Sequence, residues 1–399
     1  MKKSCAAVCG GLLIVALTAG CATAQAPSAA RSPAPPAVSS PSSSRSASRP
    51  AVAASNGFTQ RPGGAVPAGF RAASATFVST REAFVLGTAP CPHAPCTSIA
   101  RTLDRGVSWR GLPAPAMPLG EPYTSTGPVV WGIRFATPEL GFVFGDRLWV
   151  TTDGGEHWSA LGYPGGAILS LEIIDRQVLT VTARHGAGGL TGWTLWGRPI
   201  GGGRWVRITA VASSFGTAGI ATQAGVAALV DGSAVLVSTD GGLTVTRHPT
   251  PCHAVGRSFP VVTSVAVEAP RGLALLCAGE GYVSHTDKTV YVSGDLGATW
   301  KLAGHPASLG DDGMIAASAP GYLTIATASA LSLLYYSADN GKTWRSAVIY
   351  PDGGQGWNDL GFTSARDGVV IHGHPAYGDM LGQLLLTGNG GLTWHAVTF

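Results

Sequence analysis

Five aspartates in this 399-residue chain, Asp104, Asp153, Asp240, Asp295 and Asp339, occupy the same place in a recurring stretch of eight residues. Recurring carboxylates could serve glycoside hydrolysis, which uses them in pairs, one as acid and the other as base or nucleophile. Their neighbours argue for a different role. Each has a Ser or Thr two places before it and a Gly two places after it. That is the composition of a tight turn, in which hydroxyl and carboxylate bond the turn amides and the Gly takes a positive φ. An aspartate so placed is a turn residue before it is a catalytic one. Seven of the ten histidines, His93, His185, His248, His253, His285, His305 and His374, come from separate parts of the chain without ligand spacing, and the cysteines include no Cys-x-x-Cys step. The sequence therefore predicts no metal site and no cofactor.

The stretch recurs along the whole chain, and tryptophan usually closes it. Clear copies end at Trp109, Trp158, Trp300 and Trp344. A fifth, around Asp240, has Val245 in place of Trp, and a sixth, ending at Trp394, has Asn389 in place of Asp. The most eroded copy keeps Gly202 and Trp205, with Ile200 where the Asp should stand. The spacing of about 40 to 55 residues suits one four-stranded propeller blade. β-rich runs such as Leu148-Trp149-Val150 and Val235-Leu236-Val237 precede the turns. A second marker is independent of the turns. Phe77, Phe135 and Phe362 are each followed six residues later by Ala83, Gly141 and Gly368, which reads as an inner strand, a turn and the next strand. The expected fold is all-β, a single seven-bladed β-propeller over residues 67–399. Its blades are expected near 67–113, 114–163, 164–210, 211–250, 251–305, 306–348 and 349–399.

Ahead of the repeats lie an exported leader and a tether. Lys2 and Lys3 precede the apolar run Leu12 to Leu17 and then Thr18-Ala19-Gly20-Cys21, a secretory signal too short to span a membrane. Residues 22–66 are dominated by Ala, Pro and Ser up to about Ser55, which cannot bury enough surface to order themselves. About 40 such residues have a reach on the order of 35 Å. Four cysteines remain beyond the leader, and in an oxidising compartment Cys91 is expected to pair with Cys96 and Cys252 with Cys277. Setting aside Lys2, Lys3, Arg31, Arg45 and Arg49 leaves 21 basic residues against 22 acidic ones, a balance that argues against nucleic acid as a partner.

Small residues before Cys21 resemble the lipobox of bacterial lipoproteins, with Leu17 one place from the usual position. The resemblance implies lipidation at Cys21 and a protein facing outward on the cell membrane, which it touches through the anchor alone. The eight-residue turn resembles the Asp box, or BNR repeat, of sialidases, sortilin-type receptors, xyloglucan-degrading glycosidases and photosystem II assembly-factor propellers. Residues Ile133 to Phe142, running on to Trp158, look most like the last group. In these families the box is structural and lies away from the ligand face, so the likeness implies a fold more than a function. A sialidase would need three arginines around the substrate carboxylate, a Tyr nucleophile with its Glu, and an acid/base Asp. No Arg-Ile-Pro stands in this chain, and Arg134 is the one arginine readily placed on an inner strand.

In a propeller, the connections between strands two and three and those between blades share the face opposite the box turns. Candidate binding residues on that face are Arg134, Asp146, Arg147, His185, Tyr282, His285, Asp311, Trp357, Asp359, His374 and Tyr377. Exposed aromatics there would bring contact area at little entropic cost. The functional expectation is a monomeric, anchored propeller that holds a protein or glycan partner. An exo-acting, sialidase-like glycoside hydrolase on the same scaffold is the alternative.

Overall fold

A computed structural model describes residues 64–399, apart from 92–95, 122–126, 187–188, 213–218, 232, 253–260, 284, 312, 352 and 376–380. The leader, Cys21, Tyr377 and most of the tether therefore lie outside the described residues, as does the side chain of Tyr282. No helix appears among the described residues. Seven antiparallel sheets follow one another along the chain, and in each the strands pair in sequence order. The innermost strands are Arg71–Phe77, Val130–Phe135, Ile168–Ile174, Ile220–Gln223, Val261–Glu268, Gly313–Ala319 and Trp357–Phe362. Together they surround one axial channel. The chain is a seven-bladed β-propeller.

Burial explains why the blades stack. Second and third strands carry continuous apolar runs such as Ala83–Ala89, Val226–Asp231 and Ser332–Ser337, buried throughout because each sheet is covered on both faces. Between blades the side chains merge into shared clusters, for example Leu86, Ile99, Ile133 and Val143 between blades one and two. The Phe marker has a steric basis. Phe135 pairs with Gly141 and Phe362 with Gly368, and each ring lies where a Cβ on its glycine would meet it at 2.5 Å.

Six turns share one hydrogen-bond set. In blade two the Thr151 hydroxyl donates to Asp153 Oδ1 (2.8 Å) and accepts from the Gly155 N–H (2.9 Å), while Oδ1 accepts from the His157 N–H (2.9 Å). The set recurs around Asp104, Asp240, Asp295, Asp339 and Asn389. Its glycine has φ between 79° and 96°, which other residues adopt at a cost. Blade three is built differently, with Arg198 Nε donating to Gly203 O (3.0 Å) and the guanidinium lying over the Trp205 ring. The closing tryptophans divide into two groups. Trp109, Trp344 and Trp394 donate their indole N–H to a glycine of their own turn, whereas Trp158, Trp205 and Trp300 reach Pro113, Gly162 and Pro249 of the preceding blade.

Hydrogen bonds from the Thr343 hydroxyl and N–H hold the Asp339 carboxyl down to about 2. Asn389 already makes the same turn with an amide. Asp339→Asn is thus expected to leave Tm within about 2 °C of the parent at pH 7, and Asp339→Ala to lower it by about 2–4 °C. Depressed carboxylates stabilise above their unfolded value near 4 and lose that contribution as pH falls toward 2, so Asp339→Asn should also soften the acid transition. Thermal melts from pH 2 to 7 check both expectations.

The ring closes without exchanging a strand, since blade one and blade seven each draw their strands from one end of the propeller. Gly64–Ala65, inside the stretch assigned to the tether, pairs with Arg110–Gly111 as a fifth, outermost strand of blade one. At the join the Ala72 N–H donates to Gly382 O (2.7 Å), and Phe399 packs against Phe70 and Trp109. Disulfides link Cys91 to Cys96 and Cys252 to Cys277. The second ties the connection that follows blade four to the second strand of blade five.

Candidate functional site

Antiparallel strands alternate direction, so the repeated turns lie at one end of the channel and the connections between blades at the other. The channel itself encloses 710 Å³ and takes lining residues from all seven inner strands. Such a volume lies within the usual range of ligand cavities, ~300–1,000 Å³. Among the described residues, its titratable groups form two clusters.

The first is centred on Arg134. Its Nε donates to Glu172 Oε1 of blade three (2.7 Å), its Nη2 to Asp359 Oδ1 of blade seven (3.0 Å), and its Nη1 to Ile133 O (2.8 Å) and Ser74 Oγ (3.3 Å). Asp359 Oδ2 in turn accepts the Ala75 N–H of blade one (2.8 Å). Four consecutive blades, seven, one, two and three, are therefore joined by one guanidinium. Asp359 sits at φ 49°, in a region tolerated better by Asp than by most residues. Burial works against charge on all three groups, but with different outcomes. Asp359 and Glu172 outweigh it and hold the Arg134 guanidinium above its ordinary value. Arg134 and the Ala75 N–H likewise keep Asp359 below the usual carboxylate range. For Glu172, burial prevails over Arg134 and pushes the carboxyl up.

The second cluster lies on the connection side. Glu121, between blades one and two, meets His374, which follows the second strand of blade seven, with His374 Nδ1 3.1 Å from Glu121 Oε1. Burial pushes Glu121 up to about 7 and His374 down to about 4, the latter against the attraction of Asp359. Both partners thus favour their uncharged forms. Trp131 lines the same channel and is 9% exposed, and its indole N–H meets no acceptor among the described residues.

The proposed face residues separate when placed in the fold. Arg134, Asp359 and His374 converge on the channel, but as partly buried groups paired with one another or with Glu121 rather than as exposed loop residues. Trp357 is a correction, because its ring is buried, 7% exposed, against the stacked rings of Tyr350 and His372, and its indole N–H donates to Thr327 O (3.1 Å). It begins an inner strand and fills the interface between blades six and seven, so it offers no binding surface. Arg147, His185 and Asp311 are exposed on the connection side. Asp146 is half-buried and caps the Val129 N–H (3.0 Å), and His285 Nδ1 lies 2.8 Å from Val283 O. Sequence reasoning missed Glu121, Glu172, Ser74 and Trp131. Glu172 had a signal, being the one charged residue in the apolar run Ile168–Ile174.

No family model matches the chain, and no curated protein matches it. Among solved structures, YCF48 bound to a D1 peptide superimposes with a TM-score of 0.51 and 16% identity, over 85% of this chain and 98% of that one. YCF48 from Cyanidioschyzon merolae gives 0.51 and 15%, over 83% and 98%. The likeness is one of fold. An ancestral GH74 enzyme aligns with a TM-score of 0.48 and 12% identity over 83% of this chain and 44% of its own.

Proposed function

We propose that this chain is an exported, membrane-anchored propeller that acts as a binding scaffold, holding a protein segment or glycan over the connection-side mouth of its channel. The observation that carries the reading is the channel itself, 710 Å³ with polar groups drawn from inter-blade connections at one end. A propeller of the same fold, YCF48, has been captured with a D1 peptide, which shows that such a scaffold can present a peptide site. The leader and Cys21 supply the anchor, and the tether the standoff. A sialidase-like role fits less well, because Arg134 is already held by two carboxylates and is not free to receive a substrate carboxylate.

Photo-crosslinkers placed at Arg147 and His185 test the face, with controls at Glu156 and Lys342 on the turn side. Adducts with envelope components are expected from the first pair. Adducts from the turn side alone would overturn the assignment. Turnover of any fluorogenic glycoside, sialosides included, by the purified protein would replace the scaffold with a hydrolase.

A further inference from the structure

The repeated turn of blade one carries two exposed apolar side chains, Leu103 at 59% and Val107 at 83%. In place of Leu103 the other five turns of this kind have Thr152, Thr239, Gly294, Ala338 and Gly388, and among the described residues none of them exposes two large apolar side chains. A single exposed apolar residue is ordinary, but two in one short turn leave area that burial would favour. Four exposed arginines, Arg81, Arg105, Arg110 and Arg366, lie on the turn side of blades one and seven. Their acidic partners sit deeper. Arg105 is 59% exposed against 22% for Asp367, and Arg110 is 58% exposed against 39% for Glu156, so the charge presented outward is positive.

The tether joins the propeller at this same rim, since Ala65 pairs with Arg110, three residues past Val107. Residues 22–63 carry Arg31, Arg45, Arg49 and Arg61 and no acidic residue. A chain of about 40 such residues reaches on the order of 35 Å, which keeps the rim near whatever holds Cys21. We propose that the turn-side rim of blades one and seven docks on the anionic phospholipid surface of the membrane that holds the anchor. Leu103 and Val107 enter the headgroup region, and the arginines face lipid phosphates. Fixed charges attract a bilayer only within about 10 Å, which favours the rim where the tether joins over the rest of the ring. Acyl chain and surface patch then act as two signals, which together hold a protein far better than either alone. Contact with the membrane thus extends beyond the anchor, and the connection-side mouth at the other end of the channel is turned away from the lipid toward a partner. The inference rests on the anchored reading above and adds the orientation in which the scaffold works.

The test uses the full chain, made with its own leader, purified from membranes and reconstituted into vesicles of phosphatidylcholine alone or with one-third phosphatidylglycerol. A benzophenone amino acid replaces Val107 or, as a control, Leu243, which holds the same place in the turn of blade four and is 60% exposed. In the mixed vesicles the Val107 site is expected to give at least fivefold more lipid adduct than the Leu243 site. Its yield should fall at least threefold in phosphatidylcholine alone or in high salt. Arg81→Gln combined with Arg110→Gln should lower the Val107 yield about threefold and leave the Leu243 yield unchanged. Equal yields from the two sites, or a Val107 yield indifferent to phosphatidylglycerol, would overturn the proposal. The lipid and salt comparisons leave the arginines in place and so do not depend on those variants folding. A chain that fails to float with phosphatidylcholine vesicles lacks the anchor, which removes the anchored reading and the docking rim together. A chain that floats but gives equal yields removes the docking rim alone.

Discussion

Arg134→Ala is expected to lower the stability of the propeller by about 3–5 kcal/mol, because it leaves two buried carboxyl groups without their cation. Among the described lining residues there is no other Arg or Lys to replace the guanidinium. It joins Glu172, Asp359 and Ser74, and Asp359 also receives the Ala75 N–H, so one side chain spans the boundary where the last blade meets the first. Many rings could rely on a strand shared across that boundary, but here each sheet is drawn from consecutive strands. Closure falls to the buried cluster that blade one shares with Val369, Ile371, Leu384 and Leu386 of blade seven, helped by the Ala72–Gly382 hydrogen bond, the aromatic contact of Phe399 with Phe70 and Trp109, and the Arg134 cluster. Native proteins have only about 5–15 kcal/mol in total, so the variant should lose a large fraction of its margin. Urea denaturation measures the loss, and hydrogen exchange locates it, with protection falling first in Arg71–Phe77 and Trp357–Phe362. Replacing all three charges together, as Arg134→Met, Glu172→Gln and Asp359→Asn, should recover more than half of the deficit. An Arg134→Ala protein within 1 kcal/mol of the parent would show that the cluster is incidental.

The fold could be read from the sequence because one local constraint recurs in six blades and a second in three of them. A turn whose hydroxyl, carboxylate and positive-φ glycine must coincide leaves a mark eight residues long, and so does a glycine that must lie under a phenylalanine ring. The seven turns correspond to seven sheets even where Ile200 or Val245 has eroded the motif. The site was less legible, since channel residues lie on neighbouring inner strands about 40 residues apart and no local rule links Glu121 to His374 or Glu172 to Arg134. Trp357 shows the same limit from the other side. Loop composition suggested an exposed aromatic, but a tryptophan at the first residue of an inner strand can turn into the space between blades, where Tyr350 and His372 receive it. Arg134 was placed correctly on an inner strand, but its partners come from blades three and seven and could be known only from the closed ring.

The Glu121–His374 pair should make a pH dependence appear only when one partner is removed. In the unfolded chain the carboxyl titrates near 4.5 and the imidazole near 6.5, while in the fold they move to about 7 and about 4. Between pH 4.5 and 6.5 each state then holds one proton on the pair, on imidazole when unfolded and on the carboxyl when folded. Equal proton counts give zero slope, so the pair adds no pH dependence across that window. His374→Gln leaves a carboxyl whose folded value is raised. Its stabilisation is complete below pH 4.5 and is lost as pH rises toward 7, by up to about 3 kcal/mol at ~1.36 kcal/mol per unit. Glu121→Gln leaves an imidazole whose folded value is depressed. Its contribution is complete above pH 6.5 and is lost as pH falls toward 4, by a similar amount. The two variants should therefore tilt in opposite directions from the parent when urea midpoints are compared at pH 4.5, 5.5, 6.5 and 7.5. Arg134, Glu172 and Asp359 remain in place in all three proteins, so their effect cancels in the differences. Parallel curves for parent and both variants would mean that the two groups titrate independently of the fold, and that the channel mouth is wet enough to leave each near its ordinary value.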